Sequence, residues 1–400
     1  MKIAVIGGGP AGLYFSLLAK KWNPALEIDL FERNAPEDTF GWGVVFSDKT
    51  LGYLQAEDVP SWKAITDHFE RWENVDIVHH DEKVTVRGNK FSGIARIEML
   101  RLLQERAREL GVSLHFRAPV ADLSAFASYD LLVGADGINS EVRSQFEECF
   151  KSDLSTRTNR YIWYGTHHLF HGLTLTFREN SAGVFAAHSY KFDNNTSTFI
   201  VECDEETWAA AGFQDMDEAS TRRYLEEVFH HDLEGAELLS NNSKWINFVL
   251  VRNRHWWCAN SLSYAAGRNR KGLGGGPVDA PKSYVVLLGD ALATVHFSIG
   301  SGTKLALEDS IALLQAMKLT DGTLPDALIE YEARRRPIVE EYQDAAYESL
   351  QLFENLKDYM HLDPIPFAYK LMTRSGKVDH ENLRRRDPDF LHKYEKYNTT

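Results

Sequence analysis

Apolar positions along the chain follow two rhythms. Residues 2–6 (KIAVI) and 27–31 (EIDLF) are short runs of strand character, and residues 11–21 between them repeat apolar side chains at helical spacing. Residues 96–110 (RIEMLRLLQERAREL) predict an amphipathic helix, followed by strands at 112–116 (VSLHF) and 131–134 (LLVG). The character then changes. From 160 to 203 come β-type runs, YIWYGTHHLF, LTLTF, VFAAHSYKF and STFIVEC, with a helix expected at 221–230 and another strand at 245–251. A buried strand at 284–288 and helices at 305–317 and 324–346 follow. Strand–helix alternation interrupted by a β-rich block predicts an α/β chain, with a β-sheet domain inserted into a parallel-sheet domain. The expected boundaries are 1–74, 92–155 and 283–345 for the parallel-sheet domain, 75–91 and 156–282 for the insert, and 346–400 for a C-terminal helix and tail. The tail carries Pro364, Pro366, Pro388 and the basic cluster 384–386, and reads as either a wrapped segment or a frayed end.

With 400 residues, 44% of them hydrophobic, the chain can build a sizeable core, and two to three domains are expected. A net charge of −14 without a long basic run argues against nucleic acid or an anionic membrane as partner. No apolar run reaches the roughly 18–20 residues that span a bilayer. Cys149, Cys203 and Cys258 form no CxxC pair. Neither a disulfide framework nor a cysteine-based zinc site is expected, and a cytoplasmic monomer or homodimer fits. The pairs His79–His80 and His167–His168 would point to opposite faces of a strand, so no metal is expected there either. The first 21 residues look faintly like a signal peptide. That reading is set aside, because cleavage would remove the clearest motif in the chain.

That motif is GxGxxG at Gly7, Gly9 and Gly12, between a strand and a helix. Gly7 suits a tight turn, Gly9 lets the backbone approach a pyrophosphate, and Gly12 permits close helix–strand packing. Pro10 and Ala11 complete the helix start, whose free N–H groups and dipole favour phosphate. Glu32, beside Arg33, follows Gly12 by 20 residues, where a carboxylate takes ribose hydroxyls and repels a 2′-phosphate. FAD and NAD both fit this opening. Two later motifs favour FAD: Asp136-Gly137 in LLVGADGINSEVR and Gly289-Asp290 in VVLLGDALATVHFSIGSGTKLALED. An aspartate at a strand end can bind a ribityl hydroxyl, and the helix entered through Gly300, Gly302 and Thr303 can place N–H groups near a flavin edge. The Gly-rich stretch 268–277 precedes no helix and reads as a flexible loop.

These three motifs, in this order, resemble the single-component flavoprotein aromatic hydroxylases, the family that includes para-hydroxybenzoate hydroxylase. The resemblance covers roughly residues 1–345 and includes YEARRRP at 331–337. It implies a Rossmann-like FAD-binding domain with an inserted substrate domain. It also implies tightly bound, non-covalent FAD, with NADH or NADPH as a transient reductant. FAD contacts are expected from Gly7, Gly9, Pro10, Ala11, Gly12, Glu32, Arg33, Val45, Arg96, Asp136, Gly137, Asp290, Gly300, Gly302 and Thr303. One departure stands out. The family usually writes GDAAHxxxP, and here Ala293 replaces the histidine and Phe297 the proline. FGWGVVFSD (40–48), HFSIGSGTKLALED (296–309) and LMTRSGKVDHENLRRRDPDF (371–390) look like the salicylyl-CoA 5-hydroxylase and anthraniloyl-CoA monooxygenase group. HFSIG is also similar to the violacein-pathway tryptophan hydroxylases.

The resemblance implies hydroxylation of an activated aromatic ring with O₂ through a flavin C4a-hydroperoxide. The substrate it implies is an aryl-CoA thioester such as salicylyl-CoA, hydroxylated at position 5. The alternative is a free aromatic acid or a tryptophan- or indole-type substrate. A halogenase is disfavoured because WxWxIP is absent, and no second GxGxxG offers a resident NADPH site. His296 and Ser298 are the candidates for proton work, on the loop expected beside the flavin. Trp42, Val44, Phe46, Trp163, His188, Tyr190 and Phe297 are candidates for the substrate wall, with His188 and Tyr190 on one face of a strand. Arg374, Arg384–Arg386, Arg268, Arg270 and Lys271 are candidates for CoA phosphates.

Overall fold

Three sheets organise the molecule. The computed structural model describes residues 1–261 and 283–397, apart from the side chains of Asp48 and Lys49. The first sheet has six strands in the order β16-β17-β9-β1-β2-β8. These are β1 (Lys2–Ile6), β2 (Glu27–Phe31), β8 (Ser113–His115), β9 (Leu131–Gly134), β16 (Trp257–Ala259) and β17 (Tyr284–Leu287). All neighbours are parallel except β16 and β17. Apolar runs such as KIAVI suit strands covered on both sides, and β1, β9 and β17 are almost wholly buried. Gly7, at φ +110°, turns the chain out of β1, where a Cβ would lie 2.2 Å from Ala135 O. Gly12 lets helix Pro10–Trp22 settle on that turn, since a Cβ there would lie 2.0 Å from Gly7 O. Helix Gly302–Leu319 packs alongside, with Ser310 Oγ donating to Ala11 O at 2.8 Å.

The eight-stranded sheet is mainly antiparallel, in the order β14-β10-β13-β12-β11-β5-β6, with β15 pairing β10. Its strands are β5 (Val75–His79), β6 (Glu82–Val86), β10 (Ser152–Thr166), β11 (Leu173–Asn180), β12 (Gly183–Lys191), β13 (Ser197–Cys203), β14 (Leu238–Leu239) and β15 (Ile246–Asn253). One face buries Ile162, Tyr164, Phe185, Ala187, Phe199 and Val201 against helix Glu218–Val228 and its neighbours. The opposite face carries Asn159, Tyr161, His188, Tyr190 and Glu202. A third, small antiparallel sheet has the order β3 (Gly43–Ser47), β7 (Phe91–Ala95) and β4 (Glu70–Trp72).

Several expectations change. Strand β16, placed by the expected boundaries in the insert, pairs with β17 at the edge of the parallel sheet. Of the two readings of the tail, the wrapped segment holds and the frayed end does not. Helices Pro364–Thr373, His380–Arg386 and Pro388–Tyr397 bury Phe367, Leu371, Leu383 and Leu391 against Ile77 and Phe177. Proline opens the first and third of these helices, and Asp379 caps the second by accepting the Asn382 amide at 2.7 Å. Helix Leu324–Glu354 runs eight residues past its expected end and carries Phe353 into that tail core. His79 and His80 do not diverge. Their rings stack at 3.8 Å because His80 has left the strand for a turn, at φ 50°. All three cysteines are free thiols. Among the described residues no helix is long and apolar enough to cross a membrane.

Candidate active site

The glycine-rich turn after β1 forms a cradle. Gly9 caps helix Pro10–Trp22 without a side-chain hydrogen bond, and no acidic residue stands in the first turn. A Cβ at Gly9 would meet nothing within 4 Å. The same open space surrounds Gly137, Gly300 and Gly302. Glu32 is held at the rim by Gly8 N (2.7 Å) and by Asn34 N (2.8 Å) and Nδ2 (2.7 Å). Gly8 escaped sequence reasoning, yet a Cβ there would lie 2.9 Å from Glu32 Cβ. Arg33 is exposed beside it. Asp136 spends its carboxylate locally, accepting Ser140 Oγ at 2.5 Å and the amides of Glu141 (2.7 Å) and Val142 (3.2 Å). It caps the next helix and holds the turn at Gly137.

Arg96 and Asp290 attract each other across the cradle. Burial pushes the Asp290 carboxyl up, and the Arg96 charge opposes that. Burial pushes Arg96 down, opposed chiefly by Asp290. Asp290 is nevertheless an exposed residue. An open glycine floor, two uncapped helix starts, a rim carboxylate and an accessible aspartate fit a dinucleotide with a polyol arm, which is FAD. Thr303 lies in the first turn of helix Gly302–Leu319, and Val45 is half-buried on β3.

Beyond Asp290 lies an aromatic wall with a charged floor. Tyr161 packs on Phe297 at 4.7 Å, and His188 meets Phe297 at 5.2 Å and Phe353 at 4.8 Å. Tyr161 feels both Asp290 and Glu202, and burial first, then those charges, raise its phenol well above the ordinary value. Glu202 Oε2 lies 3.3 Å from His188 Nε2, and Oε1 accepts Asn159 Nδ2 at 2.9 Å and stands 3.7 Å from His296 Nε2. Burial disfavours the charge on Glu202, but His296, His188 and Asn159 outweigh it and hold the carboxyl below its usual range. Burial pushes His296 down to about 4, so its ring is neutral near pH 7. His296 Nδ1 pairs with Ser298 Oγ at 2.8 Å, and Ser298 Oγ with Ser349 Oγ at 2.8 Å. Arg374 closes the chain, donating Nε to Ser349 Oγ at 2.8 Å and Nη2 to Ser298 O at 2.7 Å.

The remaining candidates separate. A Cβ on Gly165 would touch the Trp42 ring at 2.8 Å, and one on Gly41 the Trp163 ring at 3.2 Å. Both indole N–H groups are buried without a protein acceptor among the described residues. Tyr190 donates to Gly43 O at 2.9 Å and stacks on Trp72 at 5.8 Å. Val44 and Phe46 point into the main core, which accounts for their apolar character. The tail arginines are engaged within the protein. Arg374 faces inward, Arg384 pairs with Glu381 and Glu395, and Arg386 binds Asn89. Arg268, Arg270 and Lys271 lie outside the described residues. Glu202, Asn159, Tyr161, Ser349 and Phe353 were missed. A glutamate in STFIVEC, otherwise an apolar run, was the one available signal.

No family model matches the chain. Over 385 residues it is 40% identical to salicyloyl-CoA 5-hydroxylase of Streptomyces sp, covering 94% of this chain and 70% of that protein. The chain belongs to the FAD-dependent aromatic hydroxylases. This hydroxylase is also 34% identical to protodeoxyviolaceinate monooxygenase of Chromobacterium violaceum, over 94% of both chains. A third relative of this hydroxylase, 31% identical, is 3-hydroxy-4-methyl-anthranilyl-[aryl-carrier protein] 5-monooxygenase of Streptosporangium sibiricum, matched over 96% of this chain and 97% of that protein. In fold the hydroxylase is similar to 2-methyl-3-hydroxypyridine-5-carboxylic acid oxygenase, with TM-score 0.67, 17% identity and coverage of 96% and 98%. It is likewise similar to PqsL of Pseudomonas aeruginosa, with TM-score 0.64, 17% identity and coverage of 90% and 98%.

Proposed function

We propose that this monooxygenase hydroxylates an activated aromatic ring presented as a CoA thioester such as salicylyl-CoA, at position 5, with NADH or NADPH and O₂. The observation that carries the substrate class is the 40% identity to a salicyloyl-CoA 5-hydroxylase across 94% of the chain. The aromatic wall of Tyr161 and Phe297, with a histidine–glutamate floor, supports a ring bearing a dissociable donor group. The second reading, a free aromatic acid or an indole-type substrate, draws on the relative from Chromobacterium violaceum.

FAD supplies the electrons taken from the nicotinamide and the activation of O₂. Gly7, Gly9, Pro10, Ala11 and Gly12 would receive its pyrophosphate, Glu32 its adenosine ribose, and Asp290 its ribitol. Arg96 would balance the Asp290 charge. Gly300, Gly302 and Thr303 would face the ring edge. Segments 1–74, 92–155 and 283–345 would hold the cofactor, and 75–91 with 156–256 the substrate. Trp42 and Trp163 would close the wall and offer their N–H groups to a substrate oxygen. His296 and Ser298 would take up the proton of the ring donor, and Phe297 and Phe353 exclude water.

The test is NADH and NADPH oxidation by the yellow protein with salicylyl-CoA, anthraniloyl-CoA, the free acids and tryptophan, followed by product mass. A thioester that stimulates oxidation and gains one oxygen supports the proposal. Stimulation by a free acid or tryptophan alone removes the CoA assignment and keeps the hydroxylase.

A further inference from the structure

Glu202 is 2% exposed. The titratable and charged groups facing it are Tyr161 from β10, His188 from β12, His296 from the loop and Arg374 from the tail. Behind it opens a cavity of about 10 Å³, lined in part by Asn159, Ala186, Glu202, Asp204, Phe353 and Lys357. That volume suits the centre of one water molecule. Asn159 is 3% exposed, its Nδ2 is spent on Glu202, and its Oδ1 has no partner. An unpartnered buried acceptor next to a water-sized space marks a hydration site. At the outer end Lys357 Nζ pairs with Asp204 at 2.8 Å, and the lysine is 42% exposed.

We propose that Glu202 is a relay and positioning residue on a proton exit path, with one ordered water between Asn159 and Glu202 joining the pocket to the surface at Asp204 and Lys357. The inference rests on the hydroxylase reading above. When the ring donor becomes a stronger electron source, its O–H or N–H bond breaks and the electron pair stays on the donor atom. The proton passes to the His188–His296–Glu202 cluster, then through the water to Asp204 and bulk solvent. Nothing is oxidised or reduced. Glu202 acts through the two histidines, holding their Nε2 atoms toward one carboxylate. Arg374 keeps a cation near that carboxylate: burial lowers its guanidinium to about 10, against the pull of Glu202, and it stays charged at neutral pH.

The experiment uses the FAD-loaded full chain and four variants: Glu202→Gln, Glu202→Asp, Asn159→Leu and Ala186→Val. The last fills the cavity without touching a donor or acceptor. Expected for Glu202→Gln is a loss of kcat at pH 7 of about tenfold or more, recovering as pH rises, with FAD content and KM held. Glu202→Asp restores part of the rate. Ala186→Val lowers kcat and enlarges the solvent isotope effect without moving the pH profile. A crystal structure is expected to show one water within hydrogen-bond distance of Asn159 Oδ1. An active parent whose pH profile overlays that of Glu202→Gln, or whose kcat and solvent isotope effect are matched by Ala186→Val, overturns the relay, as does a dry cavity. If no aromatic compound stimulates the parent, the hydroxylase reading fails and the relay with it, whatever the water shows.

Discussion

Arg374 donates its Nη2 to the main-chain carbonyl of Ser298 at 2.7 Å, across 76 residues of sequence. A side chain that resembled a surface phosphate ligand is instead the clamp on the loop bearing His296. Its Nη1 and Nε are also taken, by Leu371 O at 2.5 Å and Ser349 Oγ at 2.8 Å. Each direction of the guanidinium fork has a partner, which a lysine cannot reproduce.

Arg374→Lys is therefore expected to weaken the enzyme almost as much as Arg374→Ala. Both should lose about 1–3 kcal/mol of stability through unpaired buried acceptors, and both should consume more NAD(P)H per product formed. Thermal unfolding and the ratio of product to NAD(P)H consumed are the readouts. Full coupling in Arg374→Ala would show that the loop needs no clamp.

Two glycines of one motif should fail in different ways. Gly9→Ala meets nothing within 4 Å, so the chain should fold with its secondary structure intact and bind FAD about tenfold or more weakly. Gly7→Ala places a Cβ 2.2 Å from Ala135 O at φ +110° and should compromise folding itself. Circular dichroism paired with flavin titration separates the two. A Gly9→Ala protein that retains FAD as tightly as the parent contradicts the cradle.

Acid stability should carry the signature of His296. Folding lowers its pKa from 6.5 to about 4, so on acidification the unfolded chain takes the proton first. The contribution is complete above about pH 6.5 and fades as pH falls toward 4, amounting to about 3 kcal/mol at most. Asp58 adds a separate, lower step. Burial opposes its ionisation, but Arg106, Lys21 and Ser61 hold it at about 2, so its share is lost between about pH 4 and 2. Urea unfolding from pH 7 to 4 should show the slope, and His296→Gln should flatten it. An unchanged slope in that variant would place the acid sensitivity elsewhere.

Gly165→Ala probes the proposed role of Trp42 beside the substrate. The added Cβ would lie 2.8 Å from the Trp42 ring, so the indole must move. KM for the aromatic substrate should rise severalfold, with FAD content unchanged and kcat less affected. Tryptophan fluorescence quenching by substrate offers a check that does not depend on turnover.

The cofactor half was largely legible because its signals are local. A strand, a GxGxxG turn and a helix occupy consecutive positions, and Glu32 sits at the next strand end. Strands 2–6, 27–31 and 131–134 and the helix 96–110 have the bounds that periodicity assigns them. The tail was not legible as docked helices. Its apolar positions are sparse, and only the apolar sheet face across β6, β5 and β11 explains why Leu383 and Leu391 are buried.

From the sequence alone follow the α/β class, the glycine-rich turn after β1 and the carboxylate of Glu32 beside it, because each depends on residues within one element or its neighbour. The buried polar cluster around Glu202 needed the tertiary structure. Asn159, His188, Glu202, His296, Ser349 and Arg374 come from six separate elements, and no periodicity links them. Strand register set Ala186 opposite Glu202 and placed His188 on the same face. Burial then decided the chemistry, since the same histidine and carboxylate in water would keep their ordinary acidities and make no shared site.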